Sequence, residues 1–263
     1  MVPAASNNTH TPTAPDFNPS LTRASTIASN RALQLSNHLI HSTTNMSAST
    51  TPQPAQAATT VGTNIDADVP DIYNHLPALP QNWPEAHPDF LHSQPPVEPD
   101  LTKGFSVFTA GSIEMGRAIK WQTRLVDVLR PLPVTVCNPR RGMWETHKTP
   151  EANDNAFQVQ VKWELSCLEK VSVICFYFDR ETLSPVTLLE LGLWAHSKKV
   201  VVCCPTGFWK GGNVRIVCER YGIPFAETFS ELVPEIVKML HEKGMDSQWT
   251  LPALPVVKPL PKN

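Results

Sequence analysis

From Gly104 onward the apolar residues fall into two alternating rhythms. Residues 105–110, 134–137, 171–178, 199–204 and 223–226 are short runs rich in β-branched and aromatic residues, and they predict strands. The run 171–178 is apolar nearly throughout, as in a strand covered on both faces. Between these runs the spacing lengthens to three and four, predicting helices over 115–129, 153–169, 184–194, 213–221 and 230–243. Strict alternation of strand and helix implies parallel βαβ units with right-handed crossovers. Five strands over residues 104–246 suit an α/β fold, a flavodoxin-like doubly wound five-stranded parallel sheet in the order 2-1-3-4-5. Such sheets bind ligands beyond the carboxyl ends of their strands. The loops so placed are 110–116, 138–150, 179–185 and 205–213.

Residues before Gly104 follow neither rhythm. Residues 1–69 are crowded with Ser, Thr, Asn, Ala and Pro, and read as a long disordered N-terminal tail. An organelle-targeting role for this tail, and a translation start at Met46, are weaker alternatives. Residues 70–103 interleave Tyr73, Leu76, Trp83 and Phe90 with prolines, which suits an extended arm lying across the domain and excludes a helix or a central strand. Residues 247–263 form a Pro-rich C-terminal tail. Residues 101–263 carry 20 basic residues against 16 acidic ones, too mild and too scattered an excess for a nucleic-acid polymer. Six cysteines lie within predicted elements without metal-ligand spacing, as in a reduced cytoplasmic protein, and no apolar run is long enough for a membrane span.

The unusual residues gather in the ligand loops. Gly111-Ser112-Ile113 offers small residues and backbone N–H groups at a strand-to-helix turn, where an anion can bind. Asn138-Pro139-Arg140-Arg141 places two guanidinium groups beyond the second strand, in reach of phosphate or carboxylate if they are not simply solvated. Trp144 can stack on a base or cover the core. Asn213 either reaches a ligand or caps its helix. In the stretch beginning Ser184-Pro185, Ser184 suits an N-cap and Pro185 the first helical position. The helix that follows is apolar almost all round, so it should be buried, and Glu190 in its middle needs a partner, a job or a cavity. Glu164 lies beside the stripe Phe157, Val161, Leu165 and Leu168, four residues after Gln160 on the same helix face. Two carboxylates facing one pocket are the equipment of retaining glycosyl transfer, although two helix-edge glutamates paired to nearby cations read the same in sequence.

Four blocks resemble the nucleoside 2-deoxyribosyltransferase-like family: Phe-Thr-Ala-Gly-Ser-Ile-Glu-x-Gly, Asn-Pro-Arg-Arg-x-x-Trp, Gln-x-x-Trp-Glu-Leu and Ser-Pro-Val-Thr-Leu-Leu-Glu-Leu-Gly, within residues 104–222. The Gly-Ser-Ile turn is also similar to that of the related 2'-deoxynucleoside 5'-phosphate N-hydrolases. The resemblance implies a transferase or hydrolase of nucleotide metabolism that cleaves or exchanges the N-glycosidic bond of a (deoxy)nucleoside or its 5'-monophosphate. Glu190 would be the nucleophile that forms an ester at C1', and Glu164 would stand where a family aspartate handles the leaving base. Ser184 matches an aspartate of the transferases and a serine of the phosphate-tolerant hydrolases, so Ser184 and Ser112 would contact the 5'-phosphate. Asn213 would serve a site, its own or a neighbour's in a homo-oligomer. No metal or organic cofactor is implied, and the partner is a small nucleoside or nucleotide. The chain departs from the family at Val107 and Phe108, where a tyrosine often supports the nucleophile, and at Ser172, where an acidic residue often opens the third strand. These departures support an alternative, a catalytically reduced nucleotide-binding module of the same fold.

Overall fold

The computed structural model describes residues 63–66, 68–145, 151 and 153–256. The proposed start at Met46, most of the N-terminal tail, part of the loop 138–150 and the last residues of the C-terminal tail lie outside them. Eight strands follow in chain order: β1 Thr63–Ile65, β2 Leu91–Ser93, β3 Phe105–Gly111, β4 Val134–Cys137, β5 Met143–Glu145, β6 Val173–Tyr177, β7 Val200–Cys203 and β8 Phe225–Ala226. The helices are α1 Trp121–Leu129, α2 Asn155–Lys170, α3 Pro185–Trp194, α4 Gly211–Tyr221 and α5 Phe229–Glu242.

The main sheet is parallel, in the order β2-β4-β3-β6-β7-β8. Its last five members are the five expected strands in the expected order. The sixth, β2, comes from the Pro-rich arm and pairs at the edge, where a segment hemmed by prolines can still offer three residues to a ladder. Alternation along each strand sorts side chains to two faces. Val107, Val136, Val173, Tyr177 and Val201 meet α1 and α5, whereas Phe108, Ile174, Phe176 and Val202 meet α2, α3 and α4. The arm completes the first core, to which Leu76, Leu79, Trp83 and Phe90 add partly buried apolar surface. Trp249, Leu251 and Leu254 do the same from the start of the C-terminal tail.

Several local expectations change. Within the expected tail, β1 pairs antiparallel with β5, so residues 63–65 are structured. The first helix begins at Trp121, six residues after its expected start, behind a short 3-10 turn at Glu114–Gly116. Glu114 and Met115 sit in the left-handed region, with φ of 43° and 52°, which a right-handed helix cannot accommodate. The buried face of α2 is Gln160, Trp163, Cys167 and Leu168, while Leu165 is exposed, so the apolar stripe read from the sequence is rotated from the true one. Glu164 therefore lies on the inward face itself and not beside it. Helix α3 is not buried all round either. Thr187 and Leu191 face inward, while Val186, Leu189 and Leu193 are 51–63% exposed.

Candidate functional site

The chain leaves β3 toward β4 on one side and returns to β6 on the other, so the crevice of the sheet opens beyond the carboxyl ends of β3 and β6. The loops 111–120 and 178–184 form its floor. There the hydroxyls of Ser112, Thr182 and Ser184 close a ring, with Oγ of Ser112 and Ser184 2.6 Å apart and Thr182 Oγ1 2.9 and 2.8 Å from them. The backbone N–H of Asp179 donates into the ring at Ser112 Oγ, and Thr182 Oγ1 donates out to the Asp179 carbonyl. All three residues are buried. The hydroxyls of Ser112 and Ser184, expected to contact a ligand, are bonded to each other in this structure. Ser184 does occupy the N-cap position, yet its φ is 49° and its hydroxyl caps nothing. Just ahead of α3, the N–H groups of Leu183 and Ser184 both donate to Glu114 Oε1, the latter at 2.7 Å, which ties the entry of the helix to the turn after β3.

The turn after β3 is shaped by packing. A Cβ at Gly111 would collide with the backbone of Tyr177 and the indole of Trp121, so this glycine is required by close approach. Trp121 Nε1 donates to the Ser112 carbonyl, and Ile119 N–H donates to the Asp179 carboxylate. Ile113 accepts at its carbonyl from Gly116 and Ala118. No α-helix starts at this turn, which leads instead into the 3-10 turn Glu114–Gly116, with α1 following only from Trp121.

Arg140 and Asn138 are also turned to structure. Arg140 is only 3% exposed; Nε and Nη2 grip the Asp66 carboxylate at 2.8 and 2.7 Å, and its remaining donors reach the carbonyls of Ala118 and Ile119 and Oε1 of Gln122. All five N–H donors of the guanidinium expected to meet a ligand are engaged within the chain in this structure. Asn138 accepts from the Arg140 N–H and lies against His92. Arg141 stays exposed and its positive charge reaches Glu164. Trp144 falls in β5, and its side chain is outside the described residues. Asn213 is the third residue of α4, exposed and not the cap, which is Lys210.

The two carboxylates behave differently from this framework. Glu164 and Glu190 stand on neighbouring helices of one sheet face, and the charge of Glu164 reaches Glu190. Burial, and then the charge of Glu164, push the Glu190 carboxyl up to about 8. Burial raises Glu164 as well, while the Gln160 amide and Arg141 pull it back. Gln160 is the positioning residue of the pair: its Nε2 donates to Glu164 Oε1 at 2.6 Å and to the Pro139 carbonyl at 3.0 Å, tying α2 to the loop after β4. Its own Oε1 is buried without a partner among the described residues. Raised carboxyls in a sheet crevice can hold a proton at neutral pH and can attack an electrophile once ionised.

The sequence did not reveal Glu114 or Asp179. Glu114 stood in a quoted block but looked like a helix-start residue, and Asp179 sat at an unremarked strand end. A hollow of about 290 Å³ lies between the arm and α1, bordered by Asp68, Asp71, Lys120 and Thr123, and includes neither carboxylate of the pair. Three of its charged groups are engaged, since Lys120 pairs with Asp68 at 3.3 Å and Asp71 accepts from the N–H groups of His75 and Leu76. Among the described residues no group of acidic, His and Cys side chains could hold a metal, and no helix is long and apolar enough to cross a membrane.

No curated protein matches the chain. Residues 104–208, however, match the model of a family described as "Nucleoside 2-deoxyribosyltransferase like". That span runs from the start of β3 to the loop after β7; it includes Glu164 and Glu190 and stops short of Asn213. Over residues 104–208 the chain is thus similar to a family whose name points to N-glycosidic chemistry on nucleoside-like small molecules.

Proposed function

We propose that this protein cleaves or exchanges the N-glycosidic bond of a nucleoside through a covalent glycosyl ester on Glu190. The observation that carries the reading is the pair of inward-facing carboxylates on α2 and α3, inside the family-matched span and coupled in charge. Glu190, once ionised, attacks C1' as the bond to the base breaks, and the electron pair of that bond leaves with the base. Glu164 takes up the proton that Glu190 gives up on ionising and passes it to the departing base, and Gln160 holds it in position. Water or a second base then attacks C1' and releases Glu190. Arg141 lies on the Glu164 side and suits a contact to the base.

The exposed apolar stripe Leu183, Val186, Leu189 and Leu193 next to the nucleophile suits burial between copies in a homo-oligomer. Six free, buried cysteines suit a reducing compartment such as the cytoplasm. The direct test incubates the protein with a panel of 2'-deoxynucleosides, with and without acceptor bases, beside Glu190→Ala. Base release or exchange by the wild type alone supports the reading. A 2-fluoro sugar should leave an adduct on the peptide containing Glu190, and an adduct elsewhere would sink the nucleophile assignment.

A further inference from the structure

We infer that Arg180 anchors a second ligand site, one that takes the carboxylate of a small organic acid between the arm and the loop after β7. Arg180 follows β6, and its guanidinium is covered on both flat faces. On one face its Cζ lies 3.8 Å from the centroid of the Tyr73 ring, a cation–π contact that fixes the plane of the group. On the other lies Gly207, whose φ is 107°. A Cβ at that glycine would stand 3.0 Å from both Cζ and Nε and 3.1 Å from Nη2. Distances so nearly equal put Gly207 over the face of the group and not at its edge, and only a glycine allows the approach. The hydrogen-bonding edge is what stays open.

Among the described residues no acceptor fills that edge. Glu181 Oε1 is 3.7 Å from Nε, beyond hydrogen-bond reach, and no N–H of Arg180 makes a hydrogen bond to a described residue. Asp179 is unavailable, because its carboxylate accepts from the N–H groups of Ile119 and Glu181. The contrast is with Arg140, whose donors are all engaged. The Arg180 side chain is only 15% exposed, yet its nitrogens reach the surface, since none is among the buried polar atoms left without a partner. A guanidinium that is oriented but unbonded loses little freedom when it forms the two parallel N–H···O bonds of a bidentate carboxylate. Asp179 and Glu181 flank it in the chain, and their negative charges favour a singly charged carboxylate over a phosphate with its further charge. An opening this narrow admits the end of a small molecule. The site draws on neither Glu164 nor Glu190, so it stands whether or not Glu190 forms an ester.

The test titrates the full chain with sodium acetate at constant ionic strength, following by nitrogen NMR the Nε–H group of Arg180 and the backbone amide of Gly207. Arg180→Lys identifies the first signal by its loss. Both should shift saturably, with a Kd on the order of 1–10 mM for a single bidentate pair. Inorganic phosphate should bind more weakly than acetate. Glu181→Gln removes the competing charge and should tighten acetate by at least about threefold. Arg180→Gln, and Arg180→Lys, which keeps the charge without the fork, should each weaken acetate binding read at Gly207 by at least about tenfold. Shifts that never saturate in the wild type overturn the inference, a result that needs no variant to fold. So does acetate binding that Arg180→Gln, with unchanged circular dichroism, leaves intact, or that Glu181→Gln leaves unaltered. Phosphate binding tighter than acetate would overturn the choice of a carboxylate.

Discussion

The negative charge of Glu164 on α2 adds to burial in raising the Glu190 carboxyl on α3 to about 8. A charge set beside a buried carboxyl keeps Glu190 protonated above the ordinary carboxylate range, so that its ionisation depends on its neighbour. Glu164→Gln removes the charge while keeping the shape. The Glu190 titration midpoint, followed by carbon NMR of labelled glutamate, should then move to lower pH. The acidic limb of the pH–rate profile should move with it, although kcat falls for want of the proton donor. A midpoint that does not move would show the two carboxyls to be independent.

The same raised carboxyl makes stability depend on pH with a definite sign. In the unfolded chain Glu190 ionises in the ordinary carboxylate range, near 4.5, whereas in the folded chain it holds its proton to about 8. Between these values the folded state binds more protons than the unfolded one, so the Glu190 contribution falls as pH rises. The cost is absent at pH 4 and complete above pH 8. Glu190→Gln should therefore melt near wild type at pH 4 and above it at pH 9, each 1 kcal/mol recovered raising Tm by about 2–4 °C. Equal Tm differences at both ends of the range would refute the burial argument.

How much of this was legible in the sequence depends on whether a residue answers to its neighbours in the chain or to distant ones. The strands β3, β4, β6 and β7 were legible because a buried parallel strand is apolar on both faces whatever surrounds it. Glu190 and Glu164 were legible because a carboxylate among apolar residues is conspicuous. The start of α1 was not, since Glu114 abandons helical backbone for N–H groups at Leu183 and Ser184, about seventy positions away. Nor was the fate of Arg140, whose partner Asp66 lies in a segment that composition assigns to a disordered tail. The inward face of α2 was disguised because two of its members, Gln160 and Glu164, are polar, and the pattern of apolar residues alone points elsewhere.

Gln160 positions Glu164 without needing to touch the substrate. Its amide N–H lowers the pKa of Glu164 against the effect of burial, so Gln160→Met should raise the Glu164 midpoint further. Folding stability should fall by only about 1 kcal/mol, because losing the two donated bonds is partly offset by removing the unpartnered Oε1. Gln160→Glu would place a third carboxyl in the cluster and should raise both partners. An unchanged Glu164 titration in Gln160→Met would deny the positioning role.

Leu189 is 63% exposed, one residue before the nucleophile, on a helix that offers Val186 and Leu193 on the same outward side. If this stripe is covered by a second copy, Leu189→Glu should shift the sedimentation coefficient to that of a monomer. Circular dichroism should stay unchanged, since the residue takes no part in either core. A wild type that sediments as a monomer at every concentration would leave the stripe without the partner proposed for it.

The grip of Arg140 on Asp66 predicts a large and local stability effect. Asp66 is 12% exposed and Arg140 is 3% exposed, so removing either leaves the other charge buried without its counter-ion. Asp66→Ala should cost about 3–5 kcal/mol in urea unfolding, the range seen when one partner of a buried ion pair is deleted. The neighbouring pair Lys120–Asp68 supplies the control. It is also an ion pair at 3.3 Å, but Asp68 is 92% exposed, so Asp68→Ala should cost well under about 1 kcal/mol. Were Arg140 instead a phosphate ligand, Asp66→Ala would free it, and the variant would gain affinity for 5'-monophosphates while keeping its stability. The two readings thus predict opposite changes in the same pair of measurements: a less stable protein with unaltered ligand selectivity, or an equally stable one that newly binds phosphate.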